Sequence, residues 1–158
     1  MADNNSTKIS EKAISDKAGN LQKLTDKAKA SDLSNVAVKT FMDKNPFTVP
    51  EGTKIYSAIM MLAAHKVGSA PVVNRSQHIV GVISEHDLLI QTATRDVAAA
   101  MEYTKNPLTL KGESTLLDAL AMLYKNKVRR VPVVDPFGVV IGVVTRMDVL
   151  SRLIGKKE

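Results

Sequence analysis

Two four-residue stretches place a carboxylate one helical turn after a hydroxyl: Ser84-Glu85-His86-Asp87 and Thr145-Arg146-Met147-Asp148. A Ser or Thr followed three residues later by an acid is a capping box, in which each side chain satisfies a backbone N–H of the other at a helix N-terminus. That structural role alone accounts for the pattern. The same spacing also suits binding, because a helix N-terminus attracts anions and a hydroxyl beside it adds a donor for phosphate. The carboxylate one turn on can accept both hydroxyl hydrogens of a ribose. Capping and binding are compatible, so both readings stand at this stage.

The segment before each internal proline is the second place where residue types carry chemistry. Gly68 and Ser69 are small, which lets a flat base approach the backbone between Val67 and Ala70. Their counterparts are Arg129 and Arg130, too bulky to lie under a base but able to pair with phosphate as forked donors. A strand edge carrying two solvated arginines is the alternative. Gly81 and Gly142, inside apolar runs, mark either close backbone approach or tight packing. Other chemistries find little support. With no cysteine there are no disulfides, thiolate metal sites or cysteine nucleophiles. His65, His78 and His86 lack metal-ligand spacing, so no metal is expected. No glycine-rich phosphate loop and no grouping of Ser, His and acid is visible, and Met60, Met61 and Met122 suit a helix core. The chain is expected not to be an enzyme.

The elements that position these residues come from a duplication. Pro46–Leu89 aligns with Pro107–Leu150 at a constant offset of 61, without a gap over 44 positions and with fourteen identical pairs. Met42 matches Met101 if two extra residues are allowed in the second copy. Each copy reads as a short extended piece (Phe47-Thr48-Val49, Leu108-Thr109-Leu110), then a helix that Thr53 or Ser114 can cap. Ile55, Ile59 and Leu62 mark the apolar face of the first such helix, and Leu116, Leu120 and Leu123 that of the second. A buried strand follows (Ala70–Val73, Val131–Val134), then a turn, a returning strand (Ile79–Ile83, Val139–Val144) and a helix opened by Ser84 or Thr145. A unit of about 60 residues buries little surface alone. The two are expected to pack sheet to sheet around one shared core, giving a mixed α/β (α+β) module of two pseudo-symmetric halves.

Composition sets the outer bounds. At 158 residues, 44% hydrophobic and 24% charged, the chain suits one folded domain or two small ones. The opening MADNNSTKIS is polar and the longest apolar stretch, near Ala58–Ala64, is too short to span a membrane. A cytoplasmic protein with neither secretory signal nor transmembrane helix is expected. Residues 1–35 contain no aromatic residue and no proline, and their thin apolar series is Ile14, Leu21, Leu24 and Ala28. A mobile tail or frayed helix is expected there, with a helix docked on a partner or second copy as the alternative. The remaining chain has sixteen basic and eleven acidic residues, a net +5. That balance suits an anionic partner, although excess lysine for solubility serves equally.

The stretches VGSAPVVN…IVGVISEHDLL and VRRVPVVDPFGVVIGVVTRMDVL resemble the two halves of a CBS-domain pair, or Bateman module. The resemblance spans roughly residues 36–154, with repeats at 36–95 and 96–158, and leaves residues 1–35 outside. It implies a regulatory or sensor module that binds an adenosine-containing effector (AMP, ADP, ATP or S-adenosylmethionine) between its halves, with no other cofactor. It also implies a homodimer, and output is expected through a protein partner, a second copy or the N-terminal segment. In the family the aspartate holds the ribose, the Ser or Thr meets phosphate, and a cleft joins elements of opposite halves. Carried over, one site comprises Thr48, Val67, Gly68 and Ser69 with Thr145, Arg146 and Asp148. The other comprises Thr109, Val128, Arg129 and Arg130 with Ser84, His86 and Asp87. The first is favoured for its room for adenine and for Arg146 near the phosphate, and occupancy of one site is expected. The rival readings are a basic nucleic-acid-binding module, supported by the net charge and by Arg152, Lys156 and Lys157, and a dimerisation scaffold without ligand.

Overall fold

The apolar runs around the two internal prolines become hairpins, and everything else is arranged about them. The computed structural model describes residues 4–155, with side chains for residues 13–155. Helix α1 (Asn4–Ala30) precedes the first copy, which contributes β1 (Val49–Pro50), α2 (Ile55–His65), β2 (Ser69–Val73), β3 (Ile79–Ser84) and α3 (Glu85–Thr94). Then come β4 (Thr104–Lys105), β5 (Leu110–Lys111), α4 (Leu116–Lys125), β6 (Arg130–Val134), β7 (Val140–Thr145) and α5 (Arg146–Leu153). The class is mixed α+β, with sheets ordered β1-β2-β3-β4 and β5-β6-β7. β1–β2 and β5–β6 are parallel, and both hairpins are antiparallel with equivalent registers and equivalent irregularities at Val72/Val73 and Val133/Val134.

Local chemistry explains the boundaries. Asn74 and Asp135, equivalent positions, shape the hairpin turns by accepting two backbone N–H groups each through Oδ1. Ser84 and Thr145 cap α3 and α5 through complete capping boxes. The caps of the other two helices fall one residue later than the sequence suggests. α4 is capped by Thr115, paired with Asp118, while Ser114 instead accepts the backbone N–H of Lys111. Lys54 precedes α2 without a side-chain cap, and the Thr53 hydroxyl donates to Pro50. Lys66 and Lys127 both adopt left-handed backbone (φ 52° and 54°), turning the chain out of α2 and α4 toward β2 and β6.

The halves meet about an approximate two-fold axis at the hairpin tips. His78 bridges Val139, its own repeat equivalent, while Ile79 donates to Gly138 and Val140 reciprocally donates to Gln77. Mutual contact between equivalent residues is the signature of such an axis. The expected single core is not what forms. The buried residues make two clusters, one around Val49, Ile55, Leu62, Val72 and Ile83, the other around Leu110, Leu116, Leu123, Val133 and Val144. Each is completed by a segment exchanged between the repeats. Val38, Phe41 and Met42, from before the first copy, join the second cluster; Met101 and Tyr103, from before the second copy, join the first.

The exchange corrects the alignment at this end. Val38 donates its N–H to Ser114, as Met101 does to Thr53, so Val38 and not Met42 is the equivalent of Met101. Met42 corresponds to Tyr103: Met42 covers Gly142 as Tyr103 covers Gly81, and Asp43 pairs with Val143 as Thr104 pairs with Val82. The two additional residues lie ahead of the first copy, between Val38 and Met42, where the chain makes a 3-10 turn at Val38–Thr40.

The N-terminal segment is helical from Asn4 and is not a free tail over its later turns. Leu21, Leu24 and fully buried Ala28 pack on the second cluster, whereas Ile14 is 67% exposed. No helix among the described residues is long and apolar enough to cross a membrane.

Candidate functional site

The hairpins bring the proline segment of each copy beside the helix start of that same copy. Ser69 pairs with Ser84 and Arg130 with Thr145, and the first N–H of each helix (Glu85, Arg146) donates to the carbonyl of Gly68 or Arg129. Around the two-fold axis, equivalent residues Pro71 and Pro132, Val82 and Val143 line a cleft of about 790 Å³. The first copy contributes Gly68, Ser69 and the whole Ser84–Asp87 turn; the second contributes Val128, Arg129 and Arg130. A stretch crossing between the copies, Asn106-Pro107-Leu108, closes one side. The volume lies within the roughly 300–1,000 Å³ usual for small-molecule sites.

In this cleft Asp87 Oδ2 accepts from the Ser84 N–H at 3.0 Å and from its hydroxyl at 2.7 Å, while the Asp87 N–H donates back to Ser84 Oγ at 3.2 Å. No described residue donates to the other carboxylate oxygen, so Asp87 can cap the helix and still accept ribose hydroxyls. Four cationic side chains, Lys66, Lys127, Arg129 and Arg130, line the cleft against two carboxylates, Glu85 and Asp87. That excess, next to the N-terminus of α3, makes the cleft receptive to an anion. His86 also lines it.

The site residues named from the sequence divide accordingly. Val128, Arg129 and Arg130 do meet Ser84, His86 and Asp87 across the halves, although Thr109 does not line the cleft. The combination favoured on residue size, Thr48 and Val67–Ser69 with Thr145, Arg146 and Asp148, does not line either this cleft or a second cavity beside α4 as a set. Gly68 and Ser69 line the same central cleft, but Thr48, Val67, Thr145 and Asp148 do not, and Arg146 faces the cavity beside α4. Gly68 faces the central cleft beside Glu85 of its own copy, whose Oε1 would lie 3.2 Å from a Cβ there. Arg146 is engaged within its own half, its Nε donating to the Val128 carbonyl at 2.9 Å. Asp148 forms the same box with Thr145 as its counterpart does, Oδ2 accepting the backbone N–H at 2.6 Å and the hydroxyl at 2.9 Å.

Sequence reasoning missed Lys66, Lys127, Glu85 and the Asn106–Leu108 stretch. The identity of Lys66 and Lys127 between the copies was an available signal, as was the Asn-Pro repeated at 45–46 and 106–107, although neither tells that the stretch after β4 reaches the cleft.

Residues 38–91 and 96–155 match the CBS domain family. CBSX2 in complex with AMP superimposes with a TM-score of 0.65 at 32% identity, over 75% of this chain and 96% of that one. The CBS domain pair of protein MJ0100, in complex with 5-methylthioadenosine and S-adenosyl-L-methionine, gives 0.66 at 29%, over 78% and 98%. An uncharacterized protein of Methanocaldococcus jannaschii is 29% identical over 147 residues, covering 70% of this chain and 88% of its own length. Other relatives are much longer: the chain spans 45% of a second protein from that organism and 22% of its inosine-5'-monophosphate dehydrogenase. With both copies matched, the chain belongs to the CBS-domain family.

Proposed function

We propose that this chain is a regulatory module that binds an adenosine-containing effector (AMP, ADP, ATP or S-adenosylmethionine) in the central cleft and acts through a second copy or a protein partner, not by catalysis. The observation that carries this reading is the meeting of the Ser84–Asp87 helix start with Val128–Arg130 of the opposite half in one cleft. The ribose belongs at Asp87, and phosphate at Ser84, the N–H groups opening α3, and Arg129 and Arg130. A ligand touching both halves favours the arrangement it fits best, which couples occupancy to the relative position of α2–α3 and α4–α5. The adenosine ligands of CBSX2 and MJ0100 support the choice of ligand class. A cytoplasmic setting, where such nucleotides are abundant, goes with it.

The exposed apolar residues on α2 and α3, Tyr56, Met60, Leu89 and Ile90, support self-association as the output. In the second half α1 packs against α4, and Leu117, the equivalent of Tyr56, is partly buried against the second cluster, as are Leu21 and Leu24 of α1.

Thermal unfolding against AMP, ADP, ATP, S-adenosylmethionine, GTP and NAD tests the reading. A ligand at a hundred times its Kd adds about 2.7 kcal/mol, or roughly 5–10 °C for a chain of this length. Asp87→Ala should lose that shift and Asp148→Ala retain it, because only Asp87 lines the cleft. No shift with any adenosine compound would overturn the proposal. A shift abolished only by Asp148→Ala would move the site to the opposite helix start.

A further inference from the structure

A second cavity, of about 410 Å³, lies between α1, α4 and α5. Its walls are apolar: Leu24, Leu120, Leu123, Val149 and Leu153, with half-exposed Leu150 at the edge. The charged lining residues are Lys17 from α1, Lys127 from the turn after α4, and Arg146 from the start of α5, with no carboxylate among them. Arg146 is oriented by its Nε bond to the Val128 carbonyl. An apolar trough carrying only positive charge has a definite complement.

The trough exists because the apolar stripe of α1 is interrupted. Leu21, Leu24 and Ala28 pack on the second cluster, but one turn earlier the same face carries Lys17. A lysine can lay its methylene stem along an apolar wall, but its ammonium stays in water and does not close the space that a leucine there would. The gap therefore stays open, and α1 supplies a cation at its mouth. Because α1 already packs against α4, the opening suits a thin chain better than another helix, whose diameter is about 10 Å with side chains.

We propose that this groove binds one amphiphilic anion, a medium-chain fatty carboxylate, with the alkyl chain along the Leu and Val walls and the carboxylate at Lys17, Lys127 and Arg146. The proposal does not depend on what the central cleft binds, although Lys127 lines both cavities.

Isothermal titration of the full chain with octanoate, decanoate and dodecanoate, all below their micelle concentrations, tests it. One-to-one saturable binding is expected, tightening roughly tenfold for each two methylenes until the groove is full. Dodecyltrimethylammonium, with the same chain and a cationic head, should bind at least tenfold more weakly than dodecanoate. Leu150→Glu and Lys17→Glu, at positions that are partly or fully exposed, should each weaken dodecanoate at least tenfold while the melting transition is kept. Absence of saturable dodecanoate binding, equal affinity for the cationic amphiphile, or unchanged affinity in both variants would overturn the proposal. So would a switch from dimer to monomer in Leu150→Glu by light scattering, which would assign the groove to a second copy.

Discussion

Gly81 and Gly142 show how much a single absent side chain can decide. A Cβ at Gly81 would overlap the Tyr103 ring and the Thr104 carbonyl, which are a packed side chain and the backbone of β4. At Gly142 it would lie 2.5 Å from Met42 Sδ and 2.8 Å from the Asp43 carbonyl. A thioether can swing aside more readily than a ring held against a strand. Gly81→Ala is therefore expected to destabilise by about 1–3 kcal/mol, and Gly142→Ala by less, in urea unfolding. Tyr103 itself offers a pH test. Burial, followed by the nearby Glu51 carboxylate that accepts its hydroxyl at 3.3 Å, raises its pKa above the ordinary 10.0. A raised folded-state pKa means that the neutral phenol is favoured on folding. Its contribution is present below the unfolded pKa and is lost as pH rises through the folded one. Alkaline absorbance titration of Tyr103→Phe should accordingly remove a phenolate step lying above 10.0.

Among the elements, the exchanged segments are what make two small halves stable. Buried Gln91 on α3 clamps one of them, donating to the Glu102 carbonyl at 2.8 Å and accepting its N–H at 2.7 Å. On the other side, Arg152 of α5 donates to the Thr40 carbonyl at 3.2 Å and lies 5.9 Å from the centre of the Phe41 ring. Gln91→Leu leaves two backbone groups without their partner and is expected to cost about 1–3 kcal/mol. Faster amide exchange at residues 101–105 than elsewhere in the first half would identify the clamp as the cause. The capping boxes of α3 and α5, the hairpin turns and the apolar helix faces were legible from residue spacing, since each depends on neighbours within four positions, while the caps of α2 and α4 were read one residue early. α1 was legible only in part: a partly helical segment and its apolar series Leu21, Leu24 and Ala28 could be read from the sequence, whereas the surface on α4 and the second core that those residues pack on could not.

Taken as a whole molecule, the chain is pseudo-symmetric in its hairpins and asymmetric in its helical faces. The second half is partly roofed by α1, while the first presents Tyr56 at 60%, Met60 at 52%, Leu89 at 70% and Ile90 at 51% exposure. If two copies associate as proposed, they meet through that open face. Leu89→Glu should then halve the mass seen by light scattering and leave the central cleft competent for ligand. An unchanged mass would exclude this face as the contact.

The sequence by itself determined the duplication, the order of strands and helices within each copy, the family, and the residue types able to hold a phosphorylated nucleoside. The duplication and the elements follow from local periodicity and from comparing one copy with the other. The family and its nucleoside-binding roles follow from the resemblance of both copies to CBS-domain pairs. Only the tertiary structure decided which hydroxyl–carboxylate pair opens into a cleft. The two pairs make equivalent local bonds, and they differ only in what the opposite half sets before them. The arginines of the second copy face Ser84–Asp87, whereas Thr145 and Asp148 do not line that cleft and Arg146 is bound to Val128 beside a different cavity. Residue size at Gly68 pointed to open space. Long-range packing determines which space stays open, and spacing along the chain carries no record of it.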